Sequence, residues 1–247
     1  MLSAVILTKD EERNIERCLR SLNFVDEIII VDDNSTDKTI EIAKKYSAHV
    51  HTRSLDNNFA DQRNFGMEKA NGELILFVDA DEEVTVELKD EIISELQDPS
   101  VIYWIKRRDF FWGNELRFGE IKKIRNEGLI RLVTKNSGEW VGNVHEEYIG
   151  NDCGVQLKNY INHYPHQTIA EFIHHINNYS SIRAKELHEK KVKSSLFQII
   201  FYPLGKFIVN YFFKLGFKDR AAGFVYAFMM SFHSFLVRTK LYQLQDN

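Results

Sequence analysis

At 247 residues, 44% of them hydrophobic and 28% charged with only three Pro, the chain can bury a substantial core and has no room for a long disordered tail. Two cysteines, Cys18 and Cys153, exclude a disulfide framework and fit a reducing compartment. The net charge of −4 is uneven: residues 183–247 carry eleven Lys and Arg against four Asp and Glu. The acidic front therefore argues against nucleic acid as a partner, while the basic tail suits an anionic surface.

In chain order, Leu2 to Leu7 is an apolar run with no basic segment before it and charge directly after it, so it reads as a first strand and not as a signal peptide. Ile15, Cys18, Leu19 and Leu22 fall at i, i+3, i+4 and i+7, which marks a helix with one buried face. A strand at Glu27 to Val31 follows, then a helix over about Thr36 to Tyr46, a short strand at His49 to Thr52, a helix at Phe59 to Ala70 and a strand at Glu73 to Val78. Leu88, Ile92 and Leu96 define one more helix. This alternation predicts an α/β fold, a Rossmann-like and mostly parallel sheet with right-handed crossovers, and there is no glycine-rich phosphate loop. From Val101 aromatic and basic stretches broken by Gly read as β-structure and loops. Past Pro165 the period becomes helical, with Phe172, Ile173, Ile176 and Tyr179 in one stripe. We place a boundary there, giving a catalytic domain over 1–165 and a helical region over 166–247.

Three of these strands end in polar residues. The first runs into Thr8-Lys9-Asp10-Glu11, the second into Asp32-Asp33-Asn34-Ser35, and the Leu74 to Val78 run into Asp79-Ala80-Asp81-Glu82-Glu83. The carboxyl ends of such strands open onto the crevice where α/β sheets bind ligands. Hard divalent cations bind carboxylate oxygen, and magnesium usually combines one or two carboxylates with substrate phosphates, which points to Asp79 and Asp81 and to a nucleotide diphosphate as co-ligand. Asp32 and Asp33 suit helix capping, but one cap needs one residue, and the surplus acid repels its neighbours unless a ligand offsets it.

Residues 197–235 hold thirteen of the twenty-eight Phe and Tyr, with Lys and Arg interspersed. A basic, aromatic, amphipathic helix suits a membrane interface, and the same apolar face also suits packing or a homo-oligomer. Ala221 to Val237 is seventeen uncharged residues, at the lower limit for spanning, and is weakened by Gly223, Ser231, His233 and Ser234. The protein is expected to be cytoplasmic, or peripheral on the cytoplasmic face of the inner membrane.

With these residues in place the chain resembles the family 2 glycosyltransferases over about residues 2–165. The resemblance rests on Thr8-Lys9-Asp10-Glu11-Glu12, Val31-Asp32-Asp33-Asn34-Ser35-Thr36-Asp37, Ala60-Asp61-Gln62-Arg63-Asn64-Phe65-Gly66, Ala70-Asn71-Gly72-Glu73 and Phe77-Val78-Asp79-Ala80-Asp81-Glu82, in matching order and spacing. Trp140-Val141-Gly142-Asn143-Val144-His145-Glu146 is similar to an element of the small bacterial transferases that build lipopolysaccharide inner core or related surface glycans. The resemblance implies a GT-A fold and inverting, metal-dependent transfer, with Mg2+ or Mn2+, from a nucleotide sugar, by family habit a UDP-sugar, to a glycan or lipid-linked saccharide. It implies that Thr8 and Asp33 contact the nucleobase and ribose, with Asp10 beside them where the family more often has Asn. It gives Arg63 the diphosphate, and Asp79 and Asp81 the nucleotide and metal.

Inversion needs a base for the acceptor hydroxyl, and Glu146, in a loop beside apolar Trp140, is the favoured candidate, with Glu82 or Glu83 as rivals. His145 ligates the metal, orients Glu146 or packs; Arg131 stabilises developing charge, holds an acceptor phosphate or forms a structural ion pair. His163, His166, His174 and His175 invite a zinc reading, which we reject because no Cys accompanies them. An aspartyl-phosphate phosphatase would carry its nucleophile on the first strand, whereas this Asp pair ends the fourth. A non-catalytic nucleotide-sugar-binding or scaffold protein of the same fold is the other alternative.

Overall fold

A computed structural model describes residues 1–56, 58–95, 101–142, 146–150 and 154–245. The elements are β1 (Leu2–Thr8), α1 (Ile15–Ser21), β2 (Glu27–Asp32), α2 (Thr39–Lys44), β3 (His49–Thr52), α3 (Phe59–Lys69), β4 (Leu74–Asp79), β5 (Glu82–Val84), α4 (Val86–Glu95) and β6 (Ile102–Phe111). They continue through β7 (Asn114–Leu116), α5 (Lys122–Glu127), β8 (Leu129–Thr134), β9 (Gly138–Val141), β10 (Glu147–Gly150), β11 (Gly154–His163), α6 (Ile169–Glu189), α7 (Leu196–Ile208) and α8 (Arg220–Gln245). Two compact units result: Met1–Arg108 with Ile124–Tyr164, and Asp109–Lys123 with Pro165–Asn247.

In the first unit the strand order is β3-β2-β1-β4-β8-β6-β11-β5. The pairs β1–β2, β1–β4 and β2–β3 are parallel, as the alternation of strands and helices requires. Beyond β4 the sheet is extended by antiparallel pairs, β4–β8, β8–β6 and β11–β5. Every residue of β1 except Leu7 is buried, and β4 is buried up to Asp79, because helices cover both faces of the parallel strands. One face packs Ala4, Ile6, Leu76 and Val78 against Ile15, Cys18 and Leu19 of α1 and Leu22 just after it. The other packs Val5, Ile75 and Phe77 against Ala60 and Met67 of α3 and against Trp140. Gly66 lets α3 lie directly on β1, since a Cβ there would stand 2.4 Å from Val5 Cγ1.

The second unit has its own small core, in which Phe111, Leu116 and Ile121 meet Phe172 and Ile176 of α6 and Ala222 and Met229 of α8. Thr168 and Glu171 form a capping box that starts α6, and Ser195 and Gln198 form one that starts α7. α7 runs on into a π turn, Val209–Phe213, and Ser231 Oγ of α8 donates to the Pro203 carbonyl of α7 at 2.7 Å.

Candidate active site

The parallel register sets Thr8 opposite Asp32 and Leu7 opposite Asp79, so the three polar strand ends converge at one edge of the sheet. The loops after β1 and β2 are stitched together. Asp10 Oδ1 accepts from Thr36 N at 2.7 Å, Asp10 N donates to Ser35 Oγ at 2.9 Å, and Glu11 N donates to Thr39 Oγ1 at 2.7 Å. Asp10 and Asn34 both have positive φ, which short polar side chains tolerate. Asp32 closes its own turn by accepting from Ser35 N and Ser35 Oγ, so it is a turn anchor. Asp33 is held facing Lys9 Nζ at 2.8 Å and Leu55 N at 2.9 Å. The buried Thr8 Oγ1 has no hydrogen-bond partner within the protein, which leaves it for a ligand or water.

At the end of β4, Asp79 is gripped from both sides. Arg63 of α3 donates Nη2 to Oδ1 at 3.0 Å, and Arg131 of β8 donates Nη2 to Oδ2 at 2.7 Å. Burial would raise the Asp79 carboxyl, but the charges of Arg131 and then Arg63 outweigh it and hold it far below the ordinary carboxylate range. Glu82, fully buried, accepts from Arg131 Nη2 at 2.6 Å and from the Asp79 amide at 3.0 Å, and its own burial leaves it raised. Glu82 positions Arg131 and Asp79, and Glu83 accepts from Tyr164 Oη at 2.8 Å and Asn162 Nδ2 at 3.3 Å.

Arg63 also reaches the other candidate acid, donating Nε to Glu146 Oε1 at 3.0 Å. Its guanidinium lies 5.0 Å from the Trp140 ring centroid and 5.7 Å from that of Phe77. The next residue, Asn64, clamps β9 by donating Nδ2 to Trp140 O at 2.8 Å and accepting from Trp140 N at 2.9 Å. Two adjacent residues of α3 therefore fix the hairpin strand and the carboxylate that follows it. Arg63 Nη1, Arg131 Nε and Trp140 Nε1 are buried without a protein partner.

Asp81 is differently placed. Its Oδ2 lies 3.3 Å from His163 Nε2, whose charge and hydrogen bond lower its carboxyl against the effect of burial. Glu11 is nearby in charge terms: burial first and the Asp81 charge second push it up to about 7. Among the described residues no three His, Cys, Asp or Glu side chains form a ligating cluster. Asp81, which has one oxygen on His163, suits a dication that takes one carboxylate and completes its shell with diphosphate oxygens and water. Each oxygen of Asp79 accepts one guanidinium hydrogen bond, which leaves a lone pair on each for a cation, although the two guanidinium charges beside it weaken its pull on one. His145 lies outside the described residues.

The sequence pattern described as "Glycosyl transferase family 2" matches residues 3–151. The chain belongs to this glycosyltransferase family. An uncharacterised glycosyltransferase of Rickettsia typhi is 31% identical over 98% of this chain and 87% of its own length. A lipopolysaccharide core biosynthesis glycosyltransferase, LpsC, of Rhizobium meliloti is 28% identical over 98% of this chain and 92% of its own. Among solved structures, residues 1–349 of S. aureus TarS in complex with UDP-GlcNAc align over 99% of this chain and 91% of that one at 14% identity, with a TM-score of 0.47.

In this family 2 glycosyltransferase the structure brings Arg63, Asp79, Arg131 and Glu146 into one network. Thr8, Asp10 and Asp33 stand on the neighbouring strand ends. Sequence reasoning missed Glu11, Glu82 as a buried bridge, Asn64 as a clamp and His163 as the partner of Asp81. Glu11, Asn64 and Glu82 each stand in a motif already singled out, whereas His163 appeared only among scattered histidines.

Proposed function

We propose that this glycosyltransferase moves a sugar, with inversion, from a nucleotide sugar of the UDP type to a lipopolysaccharide-core or related glycan acceptor. In this reading it works at the cytoplasmic face of the inner membrane. The observation that carries the proposal is the double hydrogen bond of Arg63, which ties Asp79 at the strand ends to Glu146 after the β9 strand. One guanidinium spans the distance between the donor side of the crevice and the base. Similarity along the whole chain to LpsC supports the acceptor class.

In the reaction, Thr8 Oγ1 and Asp33 hold the nucleoside, and Arg63 Nη1 meets the diphosphate. Glu146 accepts the proton of the acceptor hydroxyl as its oxygen bonds to the anomeric carbon and the bond to the diphosphate breaks. Asp81 would hold a Mg2+ or Mn2+ ion, which when bound acts as Lewis acid toward the leaving diphosphate. Arg131 keeps Asp79, and through it Arg63, in place.

A thermal-shift panel of nucleotide sugars, with and without Mn2+, tests the donor, because a ligand that binds only the folded state raises its stability. A UDP-sugar should raise the melting temperature most. Asp81→Ala should abolish the part that depends on the metal, and an unchanged metal-dependent shift in that variant sinks its assignment. Slow release of nucleoside diphosphate without acceptor separates an enzyme from a binding module, which would bind and release none.

A further inference from the structure

The stretch Leu196–Phe213 is apolar, helical and mostly exposed. Leu196, Phe197, Ile200, Phe201 and Leu204 are all exposed, and they recur at i, i+1, i+4, i+5 and i+8, the spacing of one helix face. In a helix of a soluble domain that face turns inward. Here the inward face carries Pro203 and Asn210, both buried, together with Lys206, which pairs with Glu120 at 3.0 Å. Phe213 is 77% exposed at the end of the π turn, and Phe224 and Phe228 of α8 are exposed as well.

Charge selects the occupant of this surface. Residues 190–218 contain six Lys and no Asp or Glu. Lys191 and Lys193 are exposed just before α7, and Lys214 is exposed just after the π turn. Lys190 and Lys206 pair with Glu186 and Glu120, but a second copy would still set the charge of Lys191, Lys193 and Lys214 against its own image, whereas anionic lipid headgroups complement it beside an apolar layer that accepts the aromatic rings. Spanning is disfavoured by the packing of α8. Its Lys240 Nζ donates to Asn177 O at 2.6 Å and Ser180 Oγ at 2.9 Å of α6, whose other side chains include Arg183, Lys185 and Glu186. Moving α8 into hydrocarbon would take those charges with it.

We propose that α7 and the π turn dock in the plane of an anionic bilayer surface, with the Leu196–Leu204 face in the acyl boundary and Lys191, Lys193 and Lys214 on the headgroups. This deepens the functional reading above, in which the acceptor is carried at a membrane.

Flotation of the full chain with phosphatidylcholine vesicles, and with the same vesicles containing phosphatidylglycerol, tests it. The chain should float with the anionic vesicles alone, and salt should weaken the binding. The double variant Phe197→Ser, Phe201→Ser should stay in solution with an unchanged melting temperature, because both rings are exposed. Lys191→Gln with Lys193→Gln should lose roughly five-fold in vesicle affinity per lysine.

Equal flotation of the phenylalanine variant overturns the proposal. So does a chain that floats with neither vesicle, or one that sediments as a dimer which the same variant dissociates. Resistance to alkaline extraction from reconstituted vesicles would make the helix a spanning one and equally overturn it. Donor hydrolysis is measured on the same samples. Hydrolysis without flotation removes the docking surface alone, and flotation without hydrolysis removes the catalytic reading alone.

Discussion

The first unit gathers buried ions at the ends of its strands, whereas the second carries a run of exposed apolar groups along α7. Arg63, Glu82 and Arg131 are almost entirely removed from solvent, yet each has an oppositely charged partner within 3.0 Å. Phe197, Phe201 and Phe213 are more than half exposed on a helix whose opposite face packs against α8. Buried charge is tolerated because the protein itself supplies the counterion, so the crevice is preformed and a ligand enters by exchanging one partner for another. Among the described residues nothing covers the apolar face of α7, so on the docking proposal its stabilisation comes from the surface it meets. Substitutions should therefore act through catalysis and folding in the first unit, and through association in the second.

The largest expected effect is on turnover. Glu146→Gln keeps the size of the side chain but cannot take a proton, and sugar transfer should fall roughly 10²- to 10⁴-fold. Donor affinity, read by thermal shift, should persist; near-normal turnover would exclude Glu146 as base. Next comes Arg131→Met. It leaves Glu82 fully buried without its closest cation and removes one of the two arginines on Asp79, and breaking such a pair costs about 3–5 kcal/mol. Urea denaturation measures this, and adding Glu82→Gln should restore part of the loss by removing the stranded charge. Phe213→Ser on the apolar face is the control, with a change within about 0.5 kcal/mol. If that variant unfolds the protein as severely as Arg131→Met, the contrast between the two units fails.

The first unit's scaffold was readable because parallel strands buried on both faces give near-continuous apolar runs, as in Leu74 to Val78, and because Ile15, Cys18, Leu19 and Leu22 repeat at a helical period. The strand ends were readable for the same reason, since an apolar run that stops in Asp79-Ala80-Asp81 announces a crevice. What escaped depends on contacts made at long range in sequence. Nothing local in the sequence says that Arg131, 49 residues on, reaches Glu82. His163 looked like one of several scattered histidines, and its place beside Asp81 follows from the antiparallel register of β11 on β5, which sets it opposite Glu82. In the tail, composition announced an apolar and basic surface, but which face of α7 stays outside is decided by its packing on α8.

A smaller effect is expected at Asn64, which sharpens the comparison from within the first unit. Asn64→Ala removes both hydrogen bonds to the Trp140 backbone and strands an N–H and a carbonyl there, at a cost of about 1–3 kcal/mol. Because β9 leads to Glu146, turnover should fall while donor binding, which rests on other elements, stays near normal. Loss of donor binding in step with turnover would show that Asn64 supports the fold as a whole and not the placement of the base.

The smallest effect belongs to Glu27, a charge in the first unit far along β2 from the crevice. Its carboxylate accepts from Ser3 Oγ at 2.5 Å, Asn71 N at 2.8 Å and Asn71 Nδ2 at 2.6 Å. Burial would raise its carboxyl, but these hydrogen bonds outweigh that and leave it below the usual carboxylate value. A group with a depressed value in the folded state stabilises the protein above its unfolded value and loses that contribution as pH falls through the folded one. Urea titrations repeated at decreasing pH should therefore show stability falling on the acid side, and Glu27→Gln should lower stability at neutral pH while flattening that fall. An acid limb of unchanged steepness in the variant would assign the loss to other carboxylates. It would also show that the three hydrogen bonds hold Glu27 equally well when it carries a proton.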